Sequence, residues 1–332
     1  MNQFGTIFTL SIFGESHGPA VGITLGNCPA GLPLQVTDFA VDTTRRKGGI
    51  QKGTTPRQEP DEPNFISGVF NNTTTGAPLT MLFENANTRS GDYEKQRDIP
   101  RPGHADFVAN KKYGGYEDYR GGGHFSGRLT VCLVAAGVVA KKILSLQNIT
   151  VTSTIVSIAG NTNIDMGLQQ AIDAKDSVGG IVDCTVTGLP VGIGEPFFNS
   201  VESHIAQLAF AIPAIKGIAF GVGYAAATMY GSQHNDAIAD ATGATNTNNA
   251  GGVVGGITNG NNLYFTLAVK PTSSTPLVQN SLNWQTGVTE NFSIKGRHDL
   301  CIALRVPVVA EAIAAIALVD LMCVAGLVPR VI

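Results

Sequence analysis

The chain has 332 residues, 43% of them hydrophobic and 14% charged, with 40 glycines and a formal net charge of −3. That length supplies a large core, for one big domain or two ordinary ones, and the composition excludes a disordered chain. The small net charge excludes a global electrostatic pull toward nucleic acid or anionic lipid.

The first residues, MNQFGTIFTLSIFG, lack a basic region and a cleavage pattern, so no signal peptide is expected. Phe4 to Phe13 reads as a strand, because Phe8, Leu10 and Ile12 alternate with Thr9 and Ser11. Gly14-Glu15-Ser16-His17-Gly18-Pro19 is a turn, and Val21 to Leu25 is the returning strand. His17 therefore sits at a strand end, either beside a ligand or merely exposed. Thr37-Asp38 caps a helix that runs to about Arg46 and stops at Lys47-Gly48-Gly49. Between Arg45 and Arg57 stand five basic residues and no acidic one, which suits a small anion, a nucleic acid or a solvated loop. Phe65 to Phe70 and Leu79 to Phe83 read as strands, and Asn85 to Pro102 as a long irregular wall or lid carrying Arg89, Arg97 and Arg101.

The span from Arg97 to Thr130 concentrates the polar chemistry. It contains Arg101-Pro-Gly-His104-Ala-Asp106, a helical pattern over Ala105 to Tyr113, and then Arg120-Gly121-Gly122-Gly123-His124. A glycine run that opens a helix would aim backbone N–H groups at an anion, with arginines adding bidentate contacts. The plainer alternative is a tight turn with solvated arginines. His104, in its Pro-Gly turn upstream, favours the site. The helix expected from Leu129 to Leu146 is apolar almost all round and should be buried.

From Ile149 onward strands alternate with helices. Ile149–Ala159, Gly180–Thr187, Ala214–Gly221, Leu263–Val269 and Cys301–Val306 read as strands, and Asp165–Lys175 and Asn199–Phe210 as helices. Between 250 and 257, two Gly-Gly pairs bracket apolar residues, which suggests backbone packed on a flat ligand or a mobile loop. Lys270-Pro271-Thr272-Ser273-Ser274 has a cation and three hydroxyls, the parts of a phosphate grip, without the glycines of a P-loop. Lys295 to Asp299 supplies two cations, a histidine and an acid in one turn. The apolar run from Val308 to Val328 could span a bilayer by length. However, Glu311 and Asp320 project from opposite sides of that helix, so it should be a packed core helix. Five scattered cysteines without a CxxC pair point to a reducing compartment, not to disulfides or zinc.

Taken together, these motifs resemble chorismate synthases. The matches are Phe13–Gly18 (FGESHG), Arg45–Arg46, Glu59–Asp61 (EPD), Thr74–Gly76 (TTG), Arg101–Asp106 (RPGHAD), Tyr119–Gly123 (YRGGG), Ala214–Gly217, Ala250–Ile257, Lys270–Ser274 (KPTSS) and Lys295–Asp299 (KGRHD), in family order over nearly the whole chain. The resemblance implies one α/β domain over 1–332, a β-α-β sandwich of two antiparallel four-stranded sheets inside with helices outside, assembled as a cytoplasmic homotetramer. It implies an anti-1,4 elimination of phosphate from 5-enolpyruvylshikimate 3-phosphate that needs reduced FMN, with NADPH or a separate flavin reductase as the source of electrons. His104 would protonate the leaving phosphate, His17 the reduced flavin, and Asp299 would take a proton. Arg46, Lys52, Arg101, Arg128 and Arg305 would bind substrate. His124, Phe125, Ser126, Pro213, Ala214, Gly255, Lys270, Pro271, Thr272, Ser273, Ser274 and Arg297 would bind FMN. His124 replaces a family arginine, Leu129 a glutamate and Lys52 an arginine.

Three rival classes are weaker. A Rossmann oxidoreductase would need GxGxxG opening a helix after a strand, and none occurs. A nucleic-acid module would rest on Arg45 to Arg57 alone. A metal site built from His17, His104, His124 and His298 lacks ligand spacing, so neither a metal, a nucleic acid nor a membrane is expected as a partner.

Overall fold

The computed structural model describes residues 2–49, 51–88, 97–294 and 298–332. In chain order the strands are β1 (Gln3–Phe4), β2 (Thr9–Gly14), β3 (Ala20–Gly26), β4 (Asn64–Ser67), β5 (Val69–Phe70), β6 (Thr73–Thr74), β7 (Leu79–Glu84), β8 (Thr150–Ile158), β9 (Gly180–Thr187), β10 (Ile215–Phe220), β11 (Val253–Val254), β12 (Ile257–Thr258), β13 (Leu263–Val269), β14 (Gln279–Asn283) and β15 (Val288–Phe292). The helices are α1 (Ala40–Arg46), α2 (Asp106–Tyr113), α3 (Thr130–Ser145), α4 (Ile164–Ala174), α5 (Val201–Ala209), α6 (Gly231–His234) and α7 (Val306–Val324).

Two sheets frame the molecule. One runs β1-β2-β3-β7-β4 and the other β10-β13-β9-β8, antiparallel throughout. Strict alternation orients them: Leu263, Phe265, Leu267 and Val269 of β13 are buried, while the residues between them are half-buried. Mixed α/β architecture with antiparallel sheets agrees with the sequence expectation. The strand count and the layer order differ from it: the first sheet has five strands, not four, with the short β1 at its edge. The long helices α3 and α7 pack on each other, α3 also against β3 and α7 against β8 and β9, so these helices lie between the sheets. The reason is that neither has a polar face to give to solvent. Of the 19 residues of α7, 16 are buried, so it must be covered on every side. A Cβ on Gly137 of α3 would strike Ala312 of α7, so this glycine lets the two backbones close together.

The charges of α7 are satisfied by neighbours. Asp320 is fully buried and accepts the backbone N–H groups of Thr6, Ile7 and Phe8, each at 2.8 Å. Glu311 accepts both terminal nitrogens of Arg45 at 2.7 Å, Lys141 at 3.2 Å and the N–H of Ser153 at 3.2 Å. The helix is long and apolar enough to cross a membrane, but 83% of its most apolar window lies inside the protein.

Two local expectations are corrected, and one hairpin is new. The first strand is two pieces, because Gly5 turns the chain at φ +96° and residues 6 to 8 donate to Asp320 instead of a strand. Residues 302–305, expected as a strand, form a 3₁₀ turn that leads into α7, with Pro307 in its first turn. The β14–β15 hairpin carries no clear alternation and was not foreseen. Elsewhere β9 and β13 match their expected bounds, and α3 does so within one residue at each end.

Candidate active site

A cleft of about 580 Å³ opens where the end of α1, residues 55–61, the turn at 101–105, the glycine run, residues 210–214, the end of β13 and the turn before α7 converge. Its size is that of a small-molecule site. It is strongly cationic: Arg46, Lys47, Arg57, Arg101, Arg128, Lys270 and Arg305 line it, against the carboxylates Glu59, Asp61 and Asp299.

The glycine run builds this wall differently from the expected helix N-terminus. Gly121, Gly122 and Gly123 lie at φ 59°, 81° and 51°, the left-handed region, and α3 begins only at Thr130. A Cβ on Gly121 would enter the His17 ring, and one on Gly122 would come within 2.9 Å of the His104 ring. The run therefore threads the backbone between two histidines, which requires both the positive φ and the missing side chain. The Gly123 carbonyl accepts the Ser16 N–H at 3.1 Å, tying the run to the β2–β3 turn.

One carboxylate joins two of the arginines. Asp61, 2% exposed, accepts Arg46 Nη2 at 2.6 Å and also Arg128 Nη1. Burial opposes its ionisation, but the two guanidinium groups hold its carboxyl below the usual range. Arg128 also reaches Asn85 Oδ1 at 2.8 Å and the Glu84 carbonyl at 3.0 Å. Burial pulls the Arg305 guanidinium down from its ordinary value, with Asp299 at 3.6 Å as counter-charge. Asp299 also accepts the Thr55 N–H at 2.9 Å. The Nε atoms of Arg46 and Arg305 are buried with no hydrogen-bond partner among the described residues. Buried guanidinium donors left this way fit an anionic ligand.

His104 also lines the cleft. Its Nδ1 is 2.5 Å from Asp106 Oδ1 and 3.1 Å from Arg101 Nη2. Arg101 grips Asp106 through Nε at 2.7 Å and Nη2 at 2.8 Å, and touches Ser274 Oγ at 3.3 Å. At the end of β13, Lys270 Nζ donates to the Gly103 carbonyl at 3.0 Å and to Ser273 Oγ at 2.7 Å. Thr272 Oγ1 is buried without a partner among the described residues. The Lys270 N–H donates to the carbonyl of Ala214, itself at φ +77°. A cation, spare hydroxyls and the partly exposed Phe125 ring are a donor set that fits a flavin with its phosphate.

Most of the expected site residues meet in this cleft. His104, Asp299, Arg46, Arg101, Arg128, Arg305, His124, Phe125, Ser126, Pro213, Ala214, Lys270, Pro271, Thr272, Ser273 and Ser274 all line it. His17 does not; it is 9% exposed behind Gly121, and burial, then the Arg57 charge, lower its pKa to about 4. Lys52 points outward, with Nζ 3.3 Å from Gln169 Oε1. Gly255 lies in the turn between β11 and β12, away from the cleft. The neighbouring Gly251, Gly252 and Gly256 pack on this chain's own backbone, so closeness within the fold accounts for them. Arg89 and Arg297 lie outside the described residues. Of the replaced family positions, His124 hydrogen-bonds through Nδ1 to the Gly14 carbonyl at 2.9 Å, and Leu129 joins the hydrophobic core. Arg57 had been read only as part of the basic segment. It bridges Glu59 at 2.7 Å and Ser16 Oγ at 3.0 Å in the cleft wall, and its place in that acid-free segment was the available signal.

Comparison with known proteins gives the family and the fold. A family profile described as chorismate synthase matches residues 8–323. A chorismate synthase of Chitinophaga pinensis is 66% identical over 322 residues, covering 97% of this chain and 96% of that one. One of Dehalococcoides mccartyi is 42% identical over 360 aligned positions, covering 100% of this chain and 99% of that one. A crystal structure of chorismate synthase superposes with a TM-score of 0.74 at 24% identity, over 97% of this chain and 93% of that one, a likeness of fold.

Proposed function

The chain belongs to the chorismate synthase family, and we propose that the cationic cleft is where it carries out the family reaction. That reaction is the last step of the shikimate pathway: 5-enolpyruvylshikimate 3-phosphate loses phosphate by an anti-1,4 elimination and becomes chorismate. The enzyme is a carbon–oxygen lyase acting on a phosphate ester, in a family that needs reduced FMN. Reduced flavin, when bound, lends electron density to the allylic system and is restored, so there is no net redox change.

The chain's own residues supply charge, position and protons. Arg46, Arg101, Arg128 and Arg305 hold the substrate's carboxylates and phosphate, and Lys52 joins them by swinging its side chain inward from its contact with Gln169. His104 gives a proton to the leaving phosphate, and Asp299 accepts the proton lost from the ring. Lys270 to Ser274, with His124, Phe125, Ser126, Pro213, Ala214 and Arg297, hold FMN. His17 serves the flavin from behind Gly121, where its low pKa keeps it neutral until negative charge arrives beside it. The chain acts as one domain over 1–332 in a cytoplasmic homotetramer. The electrons come from NADPH or from a separate flavin reductase, and the test below separates the two.

The observation that carries this reading is the surplus of cations over carboxylates around two buried guanidinium groups with unpartnered Nε atoms. The test is anaerobic phosphate release from 5-enolpyruvylshikimate 3-phosphate with photoreduced FMN, with and without NADPH. Release is expected, and His104→Ala should slow turnover roughly 10-fold or more while FMN still binds. Unchanged turnover in that variant would remove His104 from the mechanism. Release from NADPH and oxidised FMN alone would mean that the chain reduces its own flavin.

A further inference from the structure

The His104 ring is a partition between two chambers. It lines the reaction cleft and also a second cavity of about 380 Å³ bounded by Tyr119 and Trp284. Asp106 lines only the second cavity. It is therefore out of reach of a substrate in the cleft, yet its Oδ1 lies 2.5 Å from His104 Nδ1.

We propose that Asp106 is a positioning residue of the elimination, holding His104 in the tautomer with its proton on Nδ1 so that Nε2 serves the leaving phosphate. This inference rests on the reading of His104 as the proton donor. Two neighbours compete for Nδ1. The Arg101 guanidinium, at 3.1 Å, can only donate, and alone it would make Nδ1 an acceptor and move the proton to Nε2. A carboxylate can only accept, so Asp106 selects Nδ1–H. After Nε2 delivers its proton, the neutral ring is left as the Nδ1–H form, and Nε2 is ready to be reloaded.

Asp106 is itself well anchored. Its Oδ2 accepts the Arg101 backbone N–H at 3.1 Å and Nε at 2.7 Å, and Arg101 Nη2 reaches Oδ1 at 2.8 Å. At the Cε1–Nε2 edge of the ring, the absence of a side chain at Gly122 leaves the imidazole its slot. Burial opposes ionisation of Asp106, but its bonds to Arg101 and His104 keep its carboxyl well below the ordinary range, so it is an ionised acceptor at neutral pH. The local sequence fits this division of labour. The proline and glycine after Arg101 turn the chain, placing Asp106 in the first turn of α2, where it faces back to the histidine.

The experiment is nitrogen-15 magic-angle-spinning spectroscopy of histidine-labelled enzyme, with the His104 signals assigned by their loss in His104→Gln. With the ring neutral, the native protein should show a protonated Nδ1 and a bare Nε2. In Asp106→Asn the amide presents a donor to Nδ1, and in Asp106→Ala only Arg101 remains beside it. Both variants should move the proton to Nε2, with the other histidine signals and the melting temperature showing that they are folded. In steady state, kcat should fall by about 10-fold and by no more than in His104→Ala, with KM within about 3-fold and partial recovery in Asp106→Glu. A native tautomer in both folded variants overturns the proposal, as does a raised KM with unchanged kcat. Full turnover in His104→Gln would instead overturn the proton-donor reading itself. An unchanged tautomer in both Asp106 variants, beside an inactive His104→Gln, would sink only the part given to Asp106.

Discussion

The buried charges of α7 and those of the cleft follow opposite rules. In the core, each carboxylate is saturated from within the protein. Asp320 takes three backbone N–H groups, and Glu311 takes Arg45, Lys141 and the Ser153 N–H. In the cleft, seven cations face three carboxylates, and the Nε atoms of Arg46 and Arg305 have no partner among the described residues. A satisfied buried charge is structural, because nothing is gained by adding a ligand. An unsatisfied cluster of one sign carries a desolvation cost that an incoming anion relieves. The difference between the two regions is thus the difference between fold and function in one chain.

Four changes would break or sharpen that contrast. The largest concerns the core: Asp320→Ala strips three N–H groups of their acceptor and should cost about 4 kcal/mol or more of stability, read from denaturant midpoints. A loss under about 1 kcal/mol would mean that the amino-terminal turn is not held by Asp320. Next, Asp61→Asn loosens the bridge between Arg46 and Arg128 and should lower kcat/KM about 100-fold, roughly 3 kcal/mol of transition-state binding. Near-native turnover there would show that the arginines need no shared counter-charge. Third, inorganic phosphate should raise the melting temperature of the native enzyme, by the equivalent of about 2.7 kcal/mol at 100 times its Kd. Arg46→Ala should lose most of that gain; equal stabilisation of both proteins would place the anion elsewhere.

The smallest effect is a pH slope. His17 has a pKa of about 4 in the fold against 6.5 in an unfolded chain. The depressed value means that the unfolded state binds the proton first. The stability from a neutral His17 is complete above about pH 6.5 and is lost as pH falls toward 4. At pH 5 the loss is at most about 2 kcal/mol. The gap between native protein and His17→Gln should shrink by that amount between pH 7 and pH 5, and parallel curves would show that the ring is not held neutral.

Much of this molecule was legible in the residues alone. Alternation marked β13 and β9, all-round apolarity marked α3 and α7 as buried, and ten short motifs in order pointed to the family and to most of the cleft. These signals are local or additive, so each can be seen without knowing what lies next to it in space. The tertiary structure alone decided the rest. It placed the apolar helices between the sheets, because burial on all sides says that a helix is covered but not by what. It turned the glycine run into a thread between His17 and His104, since the ring that excludes a Cβ at Gly121 is more than 100 positions away in sequence. It divided the acids and arginines into partners. Asp61 with Arg46 and Arg128, and Asp320 with the amino-terminal turn, are pairings across 15, 67 and more than 300 positions. Side-chain chemistry names the groups able to pair, and only the packed backbone brings chosen ones within a hydrogen bond.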